Sequence, residues 1–134
     1  MMKPKGILFL LSVILLTACS DVTREWKAAT AAQKYYEQLA KGDTGLFLQG
    51  KTGVDSLPAG YRQQLLKAIQ QYQTDMQQKH GGLHGVRISD NLPEADTLLG
   101  QPFVKTFLVL CYNDSTEEEI VVPMVEENED WRMK

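Results

Sequence analysis

The chain is poor in the features that announce chemistry. It has two cysteines and two histidines in 134 residues. No pair of cysteines stands at CxxC spacing, no glycine-rich phosphate loop is present, and no Ser-His-Asp order can be read. Basic residues are scattered. The formal net charge is −3, which argues against a nucleic-acid partner, since phosphate-backbone binding calls for a basic patch. Long apolar runs are also missing. The longest covers Ile7 to Leu16, broken by Ser12, and is far shorter than the ~20 residues that a membrane-spanning helix needs. These absences leave no cofactor and no metal to expect. They give no specific ligand or reaction either.

What is present begins at the N-terminus. Lys3 and Lys5 precede the apolar run, no acid stands among them, and Thr17-Ala18 supply small residues at its end. That order describes a secretory signal peptide over residues 1–18. Leu16-Thr17-Ala18-Cys19 resembles the bacterial lipobox, in which the cysteine thiol is diacylated and becomes the first mature residue. On that resemblance Cys19 is a lipid attachment point and residues 19–24 are a tether. The other reading is an ordinary signal peptide with a chance cysteine, or an uncleaved anchor. Several acyl chains hold a protein firmly to a bilayer. Ser20 follows the cysteine and only Asp21 is acidic nearby, so neither an inner-membrane retention signal nor an acidic export tag is visible. The expected location is the cell envelope, anchored in the outer membrane and facing the periplasm. Losing Lys3 and Lys5 takes the net charge to −5.

With Cys19 acylated, Cys111 is the one remaining thiol. It lies in the apolar run FLVLCYN, where it reads as a small hydrophobe. No basic residue or helix start is suggested beside it to activate it.

Residues 25–134 read as one domain. Trp26, Ala29, Ala32, Tyr36 and Leu39 recur at three- and four-residue spacing and predict a helix over 25–41, stopped by Gly42. Asp43 is placed to cap a short helix, 44–49, ended by Gly50. Ser56 and Pro58 suit a second start. Tyr61, Leu65, Ile69, Tyr72 and Met76 then make the clearest helical stripe, which should end near His80 at Gly81-Gly82. Beyond it the period becomes two. His84, Val86 and Ile88 share a strand face. Asn91 to Pro102 reads as a long polar connection. Phe103 to Tyr112 reads as a central strand covered on both sides. Glu118 to Val125 follows with Ile120, Val122 and Met124 inward, and Trp131 to Lys134 is a last short strand. The fold class is therefore α+β, with N-terminal helices packed on a curved antiparallel sheet of three to four strands.

The stretch AAQKYYEQLAKGDTGLFL resembles the opening of cystatin-like domains of the nuclear-transport-factor-two (NTF2) superfamily, through Ala32, Tyr35, Tyr36, Leu39, Gly42 and Asp43. The closing stretch, with its apolar strand, polar turn, acidic strand start and Trp131-Arg132, is similar to that superfamily's last hairpins. The layout of lipobox plus domain resembles uncharacterised lipoproteins of gut Bacteroidales. The resemblance implies a cone, a bent sheet wrapped on a long helix and often holding a pocket. The superfamily includes ketosteroid isomerases, polyketide cyclases and many binding or scaffold domains, so fold alone assigns no activity. Its catalytic members use an Asp base with a Tyr or Asp partner. The aspartates that stand out here, Asp43, Asp90, Asp96 and Asp114, fall in expected turns.

Any pocket would be lined by Tyr36, Tyr61, Tyr72, His84, Tyr112 and Trp131, with Tyr35 beside them. For each, ordinary core packing is the competing reading. His80 and His84 stand four apart, but Gly81-Gly82 would break the helix needed to aim both at a metal; His80 reads instead as a cation at a helix C-terminus. Glu117 to Glu119 and Glu126 to Asp130 make an acidic rim with an edge-protecting role. The expected function is a lipid-anchored, non-catalytic binding or protein-interaction domain. The alternative is a small apolar-ligand carrier or an isomerase- or cyclase-like enzyme. The partners to expect are the membrane through Cys19, and an envelope protein or a second copy through the sheet.

Overall fold

A computed structural model describes residues 24–134. Cys19 and the signal peptide lie outside the described residues. Helix α1 covers residues 24–40. Ala28, Ala29 and Ala32 are fully or almost fully buried on it, so small side chains let this helix approach the sheet closely. Helix α2 is Thr44–Gln49, and the Asp43 carboxylate accepts from Leu46 N at 3.0 Å as its cap. A 3₁₀ turn, Val54–Ser56, leads to α3, Ala59–His80. Gly81 ends α3 at φ 75°, donating to Gln77 O while Gly82 donates to Met76 O. That nested pair needs a left-handed residue, which glycine supplies without a Cβ clash.

Five strands follow: β1 (Leu83–Ile88), β2 (Glu94–Leu98), β3 (Gln101–Tyr112), β4 (Glu117–Glu127) and β5 (Asp130–Met133). They form one antiparallel sheet in the order β1-β3-β4-β5, with β2 also on β3. β1 pairs with residues 108–112 of β3 and β2 with residues 101–105, so the two lie end to end on one edge. The sheet curls strongly, and the helices fill its concave side. Val104, Thr106, Leu108, Leu110 and Tyr112 of β3 point to that side, with Val86, Val122, Met124 and Met133 from their neighbours, and all are buried. The Thr106 hydroxyl donates to Val122 O at 2.6 Å, which satisfies the one polar side chain at the centre.

Three expectations need correction. The segment expected as a connection contains strand β2. It was hidden because all its side chains are exposed; the β3 ladder holds it, not burial. Asp96 therefore sits in a strand, paired with Lys105 at 3.1 Å, and not in a turn. Strand β3 meets the helices on one face only: on the other, Lys105, Phe107 and Cys111 are half-buried, Val109 is buried, and Val121 beside Phe107 on β4 is 55% exposed.

Candidate functional site

The stripe on α3 predicts a buried face, but of its five residues only Met76 is buried. Tyr61 is 48% and Tyr72 39% exposed. A helix of 22 residues runs ~33 Å, and only its C-terminal part, at Met76, is buried. Its N-terminal part meets α2 instead. Between the two lies an open cleft of about 360 Å³. Tyr36 from α1, Phe47 and Leu48 from α2, Leu65, Ala68, Ile69 and Tyr72 from α3, and Val122 and Met133 from the sheet line it. Val121, Pro123, Lys51 and Lys134 complete the lining, with the Lys134 ammonium turned away over the Phe103 ring, 5.0 Å from its centroid. The size falls within the ~300–1,000 Å³ usual for small-molecule sites.

The cleft's electrostatics follow from its lining. The Tyr36 phenol is pushed up to about 12, first by burial and then by Tyr72 close by. Tyr72 is raised as well, by burial and then by the charge of Glu118, with a hydrogen bond to Tyr112 pulling the other way. Both phenols stay protonated across the neutral range and serve as hydrogen-bond donors, not as bases. No carboxylate, imidazole, serine or cysteine is among the lining residues. The chemistry on offer is an apolar surface, two phenols and the Lys51 ammonium group.

Of the expected pocket residues, the structure brings Tyr36 and Tyr72 together in this cleft. Tyr112 is buried against the end of α3: its ring stacks on His80, with centroids 4.1 Å apart, and its hydroxyl donates to Glu118 Oε1 at 3.0 Å. Burial and that bond raise its pKa. Trp131 lies on β5, where its carbonyl accepts from the Tyr35 hydroxyl at 2.7 Å, and it lines a separate groove. Tyr61, in the first turn of α3, overshoots the cleft and faces water. His84 is a correction. Register passes from Leu83↔Tyr112 to Gly85↔Cys111, so His84 is the extra residue of a bulge and is turned out to solvent, off the face of Val86 and Ile88.

His80 stands in the last turn of α3. Its Nδ1 is 2.8 Å from Asp114 Oδ2 and 3.2 Å from Thr116 Oγ1. Both contacts use the same ring nitrogen, so this is a clasp between a helix end and a hairpin turn, not a relay to a nucleophile. Asp114 is lowered to about 2, chiefly by the Thr116 hydroxyl and then by His80. Cys111 Sγ lies 3.8 Å from Val109 O and 4.0 Å from Glu117 Oε1, a carboxylate that is itself paired with Arg87 at 3.2 Å. Among the described residues no three metal-ligating side chains converge, and no helix is long and apolar enough to cross a membrane.

The residues that sequence reasoning missed are Phe47, Leu48 and Met133. Phe47 and Leu48 sit in a helix too short for its periodicity to show a face, and Met133 joins them only through the closing strand. No protein-family model matches the chain, and no curated protein matches it. Its fold does match a crystal structure from Campylobacter jejuni that is described as an NTF2-like transpeptidase. The likeness has a TM-score of 0.56 and covers 76% of this chain and 92% of the other, at 11% sequence identity. The chain thus has an NTF2-like fold, and at that identity the likeness reaches no further than the fold.

Proposed function

We propose that this chain is a lipid-anchored protein of the bacterial cell envelope, held through Cys19, whose NTF2-like domain binds an apolar molecule with an acidic or hydrogen-bond-accepting end and performs no reaction on it. The observation that carries the binding reading is the composition of the cleft. An apolar floor takes the body of such a ligand, and the Tyr36 and Tyr72 phenols with the Lys51 ammonium group meet its polar end. General acid–base work at neutral pH wants a group titrating near 7. Here the phenols are pushed away from that range, and the lining holds no other proton acceptor suited to it.

The lipobox at Leu16 to Cys19, behind a short charged and apolar leader, supports the anchor. The transpeptidase description of the Campylobacter jejuni protein does not carry over. Acyl transfer needs a nucleophile at the site, and the cleft lining includes no serine or cysteine.

The test is a titration with anilinonaphthalene sulfonate, which pairs an apolar body with an anion, followed by displacement with a medium-chain fatty acid. Saturable enhancement that the acid reverses and that Ile69→Glu abolishes is the expected result. Turnover of an enolisable ketone that depends on Tyr72 would instead establish the isomerase alternative.

A further inference from the structure

The turn between β2 and β3 has two residues, Leu99 and Gly100, between the paired Leu98 and Gln101. Both have positive φ, 53° and 79°, as a type I′ turn demands. Such turns favour Asn-Gly or Asp-Gly, because a short polar side chain tolerates the left-handed region. Here a leucine holds that position. It is 96% exposed, and Leu98 before it is 52% exposed. A strained backbone and a leucine in water are both unfavourable to an isolated domain, and one substitution to asparagine would relieve both. The stretch from Thr97 to Val104 is also uncharged.

The position of this tip gives it a role. A second groove, of about 720 Å³, is lined by Ala95, Thr97 and Pro102 of the hairpin and by Arg24 and Glu25 at the start of the described part of α1. Cys19 stands five positions before Arg24, so the chain between them spans at most ~17 Å. An anchor at Cys19 keeps the bilayer close to the end of the domain that carries the hairpin.

We infer that the Leu98–Leu99 tip inserts into the lipid surface that holds Cys19, as a second and weaker contact that orients the domain. The inference rests on the lipid-anchor reading above. Leu98 at the end of β2 and Leu99 in the turn are together too small for a protein interface, which usually buries upwards of ~1,000 Å². A bilayer accepts single side chains, and the covalent anchor supplies the high local concentration that makes a weak contact count. Asp96 and Lys105, an ion pair further down the hairpin, lie back from the tip, where charge suits the headgroup level.

The test uses the full chain, processed by its host and reconstituted into phosphatidylcholine–phosphatidylglycerol vesicles. A nitroxide is attached at Leu99→Cys in a Cys111→Ser background, with a control label at Gln78→Cys on the exposed surface of α3. The label at 99 should collide more with oxygen than with a water-soluble nickel chelate, and the label at 78 should do the reverse. A label at Thr97→Cys should show the same preference and lose it in a Leu98→Ser, Leu99→Asn chain that melts no lower, which separates contact from folding. A label at 99 as aqueous as the one at 78 would overturn the inference. So would spin–spin broadening that persists without vesicles, which would assign the tip to a second copy. The mass of the same sample reports acylation. An aqueous label on an acylated chain overturns the tip alone, whereas an unmodified Cys19 overturns the anchor and the tip with it.

Discussion

Gly50 faces the ring of Tyr35 so closely that a methyl group on it would lie 2.5 Å from Cδ1. The backbone at Gly50 is in the right-handed helical region, which any residue adopts, so it is space and not conformation that requires glycine. The contact joins three elements. Tyr35 on α1 donates to Trp131 O on β5, and Met133 N of β5 donates to Gly50 O at the end of α2. Gly50→Ala forces the aromatic ring or the strand to move. It should destabilise the domain by about 1–3 kcal/mol, read from chemical denaturation. An unchanged midpoint would show that the ring has room to shift.

The core centred on β3 makes a simpler demand. Leu108 is fully buried on the concave face, between Ile88 of β1 and Ile120 of β4. Leu108→Ala removes its contacts and leaves a cavity, so a loss of about 2–5 kcal/mol is expected in the same measurement.

The clasp at the end of α3 makes acid stability depend on Asp114. Its folded pKa, about 2, lies below the unfolded value near 3.9. A carboxylate depressed in this way contributes stability above the unfolded pKa and loses it as pH falls through the folded one. Melting temperature should therefore drop between about pH 4 and pH 2 in the parent chain. Asp114→Asn should flatten that part of the profile while lowering stability at neutral pH. Parallel profiles for the two chains would rule out this source.

The hairpin turn offers a change in the other direction. Leu99→Asn gives the left-handed position a residue that tolerates it, and should raise stability by about 0.5–1 kcal/mol. A rise of a few degrees in melting temperature is the expected readout.

How much of this was legible in the sequence depends on whether burial or pairing fixed each element. Helices α1 and α3 were legible because Gly42 and Gly81 end them and their apolar stripes have the helical period, and α2 because Asp43 and Gly50 bracket it. Strands β3 and β4 were legible from their alternating or continuous apolar residues. Strand β2 was not, because Glu94 to Leu98 carries no apolar alternation and is held by hydrogen bonds to β3. His84 was misplaced because the bulge that turns it outward leaves no mark in a pattern of period two. The cleft was half legible. Tyr36 and Tyr72 stood out by residue type, whereas their convergence with Phe47 and Met133 depends on how α2 and β5 pack beside α3, which no local pattern records.

The central claim is that the cleft binds an apolar ligand with an acidic end. Its most direct test is a heteronuclear NMR titration of the isotope-labelled full chain with a medium-chain fatty acid below its micellar concentration. The account predicts saturable shifts that concentrate on Ile69, Tyr72, Val122 and Met133 and vanish in Ile69→Glu. Shifts absent from these residues, or spread over the other face of the sheet around Lys105, Phe107 and Cys111, would contradict it and move the function to that outer surface.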